Sequence, residues 1–526
     1  MLGLELAVVL GVALLGCTVA ARRLRIAPPV LLLVFGILAG FVPALRGVSL
    51  PPEAVLLLFL PALLYWESLN TSLREIRSNL RVIVLLSTLL VTGTAAAVAA
   101  VAHAMGLGWG PAWILGAAVA PTDATAVGVI ARLLPRRLVT VLRAESLVND
   151  GTALVIYGLA VGITVGDQKL STPHVTVLFL LAYAGGAAAG LVTAWLAVQA
   201  RRRLDDPLLE NVVSVVTPFV AFLLAALAHA SGVLAVVVCG LALSRVGPRL
   251  VRADTRQQAR AFWGLTVFLL NGSLFVLIGL QAQESVRGLR GMSVAAALAA
   301  TVVVSAVVIG TRFAWNFTTP YLIRLIDRRP VQRTRRVGAR FRLVSAFSGF
   351  RGAVSLAAAL AVPQTLHNGA PFPGRDVIVF ITTGVILVTL IQGLVLPSVV
   401  HWARLPADTT VDEERALANR VAAEEALAAL PEIAARLGTD DHVVERTRME
   451  YLTRLRMLED PAGLEDDHDV RHETDYAALR LEMLARKRAT VVRLRDERRI
   501  DDTVLRQLQS NLDVEEVRLR RREVVE

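Results

Sequence analysis

The residues best placed to do chemistry are acids and small polar groups embedded in apolar sequence. The stretch Glu145-Ser146-Leu147-Val148-Asn149-Asp150-Gly151 gathers two acids, an amide and a hydroxyl inside the long apolar segment 138–163. Ser146 and Asp150 are four residues apart and share a helix face, as do Glu145 and Asn149. A cap at a helix end would account for Glu145 but not for Asp150, which is followed by Ala153-Leu154-Val155-Ile156. An acid placed at the middle of a bilayer costs at least about 2.5–3.5 kcal/mol, so it marks a functional position.

A second acid stands in Pro121-Thr122-Asp123-Ala124-Thr125, within the apolar segment 111–134. Asp123 lies about twelve residues into that segment, near mid-membrane at about 1.5 Å per residue. Pro121 has no amide proton and frees a carbonyl in the preceding turn. A helix broken there presents carbonyl and hydroxyl oxygens beside a carboxylate, the ligands that a hard alkali cation requires.

The third constellation is Ser348-Gly349-Phe350-Arg351-Gly352-Ala353-Val354-Ser355, in the segment 343–362. An arginine flanked by glycines predicts another interrupted helix and a buried cation; the competing reading, snorkelling to the surface, draws on nearby Arg340 and Arg342. A buried arginine needs an acid. Glu145 is the expected partner for Arg351, leaving Asp123 and Asp150 for transport.

The elements that carry these residues are those of a membrane protein. Of the 526 residues, 55% are hydrophobic, and the mean hydropathy is +0.58. Apolar runs near 20 residues imply about thirteen crossings in residues 1–405. A polar, charged region, 406–526, follows as a cytoplasmic tail. Its periodicity predicts helices over 411–437, 442–458, 476–499 and 503–522, with breaks at Pro431, Pro461 and Gly463. The first apolar run carries its arginines, Arg22, Arg23 and Arg25, after rather than before it, unlike a cleaved signal.

Arginine clusters recur in alternate loops, at Arg74/Arg77/Arg81, Arg132/Arg136/Arg137, Arg201/Arg202/Arg203, Arg245/Arg249/Arg252/Arg256 and from Arg324 to Arg342. The intervening loops hold only Arg46, Lys169, Arg287, Arg290 and Arg375. That alternation places the N-terminus outside and the C-terminus in the cytoplasm. It also accounts for the net charge of +11 without a nucleic-acid partner. Cys17 and Cys239 lie in apolar runs and imply no disulfide. No Ser–His pair, zinc-binding helix or Gly-x-Gly-Asp arrangement in the apolar segments points to an intramembrane hydrolase, so an enzyme is not expected.

The interrupted segments, fifth and twelfth in order, lie seven apart. If segments one to six and eight to thirteen are inverted repeats joined by the seventh, the interruptions correspond, which is the pattern of a transporter binding site. The expected fold is thus an all-α polytopic membrane protein, two inverted repeats with two crossing discontinuous helices.

With these motifs the chain resembles the NhaP-like and sodium–proton-exchanger branch of the monovalent cation:proton antiporters. The matching stretches are Ala120-Pro121-Thr122-Asp123, Glu145 to Gly151, Phe262-Trp263 through Asn271 to Phe275-Val276-Leu277-Ile278-Gly279-Leu280, and Phe350 to Ser355. The chain departs from the family pattern at Pro61-Ala62, where relatives often have paired prolines, and at Ala226, where an acid is frequent. The resemblance implies that Asp150 binds the cation or the proton, with Asp123, Ser146, the Thr122 carbonyl and Asn149 around it, and that Glu145 pairs with Arg351. It also implies a homodimer in the plasma membrane, with transported Na⁺ and H⁺ and no cofactor. Competition for one carboxylate, with Asn149 where a second acid would add a proton site, leads to one-for-one, electroneutral exchange. A potassium-selective exchanger or a cation channel is the rival reading.

Overall fold

The computed structural model of the protein describes residues 2–24, 27–42, 55–123, 134–166, 172–326, 338–405, 410–459, 468–497, 499, 508–509, 512–517 and 519. The far half of the fifth segment (124–133), the loop residues Arg25, Arg46, Arg132 and Lys169, most of the basic loop before Arg340, the expected breaks at Pro461 and Gly463, and most of 503–522 lie outside the described residues. The chain divides into two compact units, Met1–Asp408 and Thr409–Glu526. Among the described residues no strand forms, and an isolated antiparallel bridge joins Thr365 to Pro371.

The first unit is a bundle of helices. In order they are α1 (Leu2–Leu24), α2 (Pro28–Ala39), α3 (Leu60–Leu69, preceded by a π-helical turn over Val55–Phe59), α4 (Leu73–Ala104), α5 (Trp109–Val119), α6 (Arg136–Val165) and α7 (Thr172–Arg201). There follow α8 (Pro207–Leu227), α9 (Gly232–Leu250), α10 (Ala253–Gly288), α11 (Val294–Ile326), the half-helices α12 (Ala339–Phe347) and α13 (Ala353–Leu360), and α14 (Arg375–Ala403). Helices α4, α6, α7, α8, α10, α11 and α14 are long and apolar enough to cross a membrane; α2, α3, α5 and α9 are apolar but shorter. The expectation of about thirteen crossings draws on these shorter helices as well.

In hydrocarbon every backbone amide and carbonyl must be satisfied within the protein, so apolar runs of this length fold as helices. The burial pattern fits that solvent. On α7, Leu180, Leu181, Leu191 and Trp195 are exposed while Ala194 and Ala197 are buried, so large apolar groups face outward and small ones mediate helix contact. Two apolar clusters divide the bundle. Val98, Ile114, Leu115, Val304 and Ile381 join α4, α5, α11 and α14; Tyr65, Ala197, Ala221, Val236 and Trp263 join α3, α7, α8, α9 and α10.

The interruption expected in the twelfth segment is present, and the fifth segment loses its helix where expected among the described residues. Helix α5 stops at Val119, and Pro121, Thr122 and Asp123 are non-helical; residues 348–352 separate α12 from α13. The two breaks meet where the Asp123 amide donates to the Phe350 carbonyl at 2.8 Å.

In the second unit, α15 (Thr410–Leu437), α16 (Asp441–Glu459) and α17 (His468–Asp496) are rich in both signs of charge. Arg480 pairs with Glu515 at 2.8 Å and Arg488 with Glu516 at 2.7 Å. The break expected at Pro431 does not occur, because Pro431 lies inside α15. Strong helix formers surround it, Ala428-Ala429-Leu430 before and Glu432 after. The turn comes instead at Gly438, whose φ of 64° few other residues adopt.

Candidate functional site

Helix α6 begins after Pro135 and ends at Gly166, whose φ of 100° closes it in a left-handed cap. Between these stops its polar stretch stays helical even though it is buried: Glu145, Ser146, Asn149 and Asp150 are 1%, 4%, 0% and 5% exposed. Burial of that depth is tolerated only where partners exist.

Glu145 has its partners, though not the expected one. Arg312 on α11, itself 2% exposed, grips the carboxylate with both terminal nitrogens, Nη2 reaching Oε2 at 3.1 Å. Thr122 Oγ1 adds a third bond to Glu145 Oε1 at 3.3 Å. Arg312 Nε donates to the Ser345 carbonyl at 3.2 Å, tying α12 to the pair.

Arg351 is buried as predicted, at 2% exposure, and lies within electrostatic reach of Glu145, but the hydrogen bonds of its guanidinium go to backbone carbonyls. Its Nε donates to the Val119 carbonyl at 3.1 Å, its Nη1 to the Gly349 carbonyl, and its backbone amide to Thr389 Oγ1 at 3.2 Å. The physical reason lies in the interruptions themselves. A broken helix ends in carbonyls with no intrahelical donor and a partial negative charge, and a guanidinium in the break satisfies both. Arg351 thus closes the end of α5, while Arg312 neutralises Glu145.

The remaining groups surround a cavity of ≈ 40 Å³ lined by Glu67, Thr122, Asp123, Ser146, Asp150, Asn271 and Ser355, with Pro121 and Gly352 from the two breaks. About 10–15 Å³ of such space holds one water, so the cavity has room for a small ion or a few waters. Asp150 stands within electrostatic reach of Asp123 and Glu67. Asp123 packs against Gly352, where an added Cβ would run into its carboxylate. That position is the N-cap of α13, whose amide end favours a negative charge. The Ser355 hydroxyl, 1% exposed, has no hydrogen-bond partner among the described residues.

Four of the predicted ion-binding residues, Asp150, Asp123, Ser146 and Thr122, therefore share one cavity. Asn149 does not line it; its Nδ2 donates to Thr122 Oγ1 at 2.7 Å and so orients the hydroxyl that reaches Glu145. Two groups escaped the sequence reading. Glu67 sits next to the end of its apolar run, where an acid reads as a surface residue, and Arg312 is a lone basic residue amid Val307-Val308-Ile309-Gly310-Thr311. The cost of an unpaired intramembrane charge was the signal available for both.

The geometry can be set beside known proteins. The family described as sodium/hydrogen exchanger, transmembrane, matches residues 9–402. A Mycobacterium tuberculosis protein described as an uncharacterized Na⁺/H⁺ exchanger is 46% identical over 521 residues, covering 98% of this chain and 96% of its own length. The Na⁺/H⁺ antiporter ApNhaP of Aphanothece halophytica is 31% identical over 437 residues, covering 81% of this chain and 79% of that protein. Among solved structures, the sodium proton antiporter MjNhaP1 of Methanocaldococcus jannaschii aligns with a TM-score of 0.58 at 19% identity, over 77% of this chain and 99% of that one. At that identity the likeness speaks to the fold, which the two chains share.

Proposed function

This chain belongs to the sodium/hydrogen exchanger family, a family of transporters rather than enzymes, and from that premise we propose a mechanism in which Na⁺ and H⁺ compete for Asp150. As a multi-pass cation/proton antiporter, the protein must bind its two substrates in turn and never let the empty site leak. The single observation that carries the reading is the placement of Asp150 on the small cavity where the two broken helices cross.

The proposed division of labour follows from what each acid touches. Glu145 is neutralised by Arg312, and Asp123 lies against the amide end of α13. Among the described residues, the charged groups acting on Asp150 are the acids Asp123 and Glu67. Burial next to like charges disfavours a bare carboxylate, so the site relaxes only with a proton or a cation bound. A dehydrated Na⁺ would take oxygens from Asp150, Asp123, Ser146 and Thr122, with Glu67 and Ser355 completing the shell. Asn149 is a positioning residue that holds the Thr122 hydroxyl.

Alternating access then moves either the protonated or the cation-loaded site across the membrane. One carboxylate exchanging one proton for one Na⁺ makes the cycle electroneutral, with no cofactor beyond the transported ions. The proposed setting is the plasma membrane, with the N-terminus outside, the tail in the cytoplasm and two copies forming a homodimer.

The deciding experiment is cation-induced dissipation of a proton gradient in inverted vesicles, with Na⁺, Li⁺ and K⁺ offered separately. Wild type should dissipate the gradient, and Asp150→Asn, normally inserted, should not. Undiminished exchange by that variant would remove Asp150 from the mechanism, and flux without proton coupling would make the protein a channel.

A further inference from the structure

Where α3 ends and α4 begins, the turn at Asn70 to Ser72 opens onto a cleft of ≈ 530 Å³ that also meets the later turns of α9. The charged residues lining it have one sign. Arg74 and Arg77 come from the first turns of α4 and Arg245 from α9, with Asn70, Ser72 and Ser244 between them. All three arginines are exposed, and the described residues that line the cleft include no carboxylate. The acid next in sequence, Glu75, is engaged by Arg136 and Thr140.

Orientation in a bilayer requires basic residues near helix ends, but it does not require residues from two helices to converge on one cavity. Three guanidinium groups around a common space repel one another unless a counter-charge sits among them. Arg252, by contrast, has such a partner in Asp205 at 2.6 Å. The cleft falls within the volume range of small-molecule sites, about 300–1,000 Å³. Guanidinium forks match phosphate oxygens in shape as well as charge. The Ser72 oxygen caps the amide of Glu75 at 3.3 Å and leaves its proton to donate, while the first amides of α4 before Glu75 have no intrahelical acceptor.

We infer that this cleft binds a phosphate-bearing anion, held by Arg74, Arg77 and Arg245, whether it is carried on a lipid headgroup or free in solution. Bound there, the anion bridges the start of α4 to α9. It also abuts the turn whose Asn70 and Thr71 side chains donate to the carbonyls of Trp66 and Glu67 at 2.8 and 2.7 Å. That turn ends the helix that presents Glu67 to the ion cavity.

The test uses the purified full-length protein, titrated with inorganic phosphate in detergent and, separately, reconstituted in phosphatidylcholine nanodiscs with and without phosphatidic acid. Saturable binding, read as a shift in unfolding temperature and by native mass spectrometry, is expected with at least one of the two probes. It should weaken by at least about tenfold in R74Q/R77Q/R245Q and in R245Q alone, a loss of about 1.4 kcal/mol. A control, R22Q/R202Q/R203Q, removes the same formal charge at exposed positions elsewhere and should bind as wild type. Binding of phosphate supports a soluble anion as the source, and binding confined to phosphatidic acid supports a headgroup. No saturable binding to either probe, or equal weakening in the control, overturns the inference.

Discussion

The Asp123 amide donates to the Phe350 carbonyl at 2.8 Å, so the two interrupted helices satisfy each other at their breaks. Non-helical backbone inside a membrane is tolerated only where it is buried in protein or lines a cavity. Here it does both, since Asp123 and Gly352 line the small cavity while Arg351 caps carbonyls of the α5 end and the second break. The contact between the breaks therefore leaves one acid at the cavity with the amide end of α13 against it.

The pairing of Glu145 with Arg312 predicts a definite order of stabilities. Removing one partner of a buried ion pair costs about 3–5 kcal/mol, because the other charge is left alone. Arg312→Gln and Glu145→Ala should each lower the unfolding midpoint in detergent sharply, and the double variant should lose much less than their sum. Arg351→Gln breaks bonds to backbone carbonyls and should cost about 1–3 kcal/mol. Stronger coupling of Glu145 to Arg351 than to Arg312 in a double-mutant cycle would assign the pair to the wrong arginine.

How much of this was legible in the sequence depended on the kind of signal. Pro121 and the glycines about Arg351 announce broken backbone locally, so both interruptions could be read from residue types. Which cation faces Glu145 is a tertiary matter. Arg312 and Arg351 are equally plausible partners in one dimension, and only the crossing shows that the carbonyl ends claim Arg351. Glu67 was hidden by its position near a segment end, since helix ends read from hydropathy blur by a few residues. Asn149 was legible as buried and polar, but its bond to Thr122 depended on where α5 stops.

The proposed competition at one carboxylate predicts the sign of the pH dependence. Each proton bound excludes one Na⁺, so lowering the pH through the site's titration range should raise the apparent KM for Na⁺ by about tenfold per pH unit. At saturating Na⁺ the proton's competitive effect should disappear. Initial rates of Na⁺-driven gradient dissipation over a pH and Na⁺ grid measure this directly, and a KM independent of pH would rule out a shared acid.

Electroneutrality has its own readout. With Asn149 engaged by Thr122 and absent from the cavity lining, Asp150 is the proposed carrier of the exchanged proton. Clamping the membrane potential with valinomycin and K⁺ in proteoliposomes should leave the Na⁺-driven proton flux unchanged after correction for leak. An accelerated flux under the clamp would require an additional charge moved per cycle.

The contact between Gly352 and Asp123 is close enough that a single methyl group reports on it. In Gly352→Ala the new Cβ meets the Asp123 carboxylate, which must shift away from the cavity or the amide end of α13. Exchange should fall by about tenfold or more, since small misplacements at a reacting centre carry penalties of that order. Unaltered exchange kinetics in that variant would mean that the position of Asp123 is not critical to transport.

Ser355 offers the sharpest separation of binding from folding. Its hydroxyl is buried, faces the cavity and has no hydrogen-bond partner among the described residues, so replacing it with alanine removes no bond on which the fold depends. A buried hydroxyl left unsatisfied costs about 1–3 kcal/mol, and Ser355→Ala should therefore match or exceed wild type in thermal stability. If the hydroxyl ligates the transported cation, the same variant should bind Na⁺ about tenfold more weakly while its maximal rate at saturating Na⁺ changes little. Measuring unfolding temperature beside the Na⁺ dependence of exchange distinguishes the two roles. A stability loss with an unchanged KM would make Ser355 structural, whereas a raised KM in an equally stable protein places its oxygen in the ion's coordination shell.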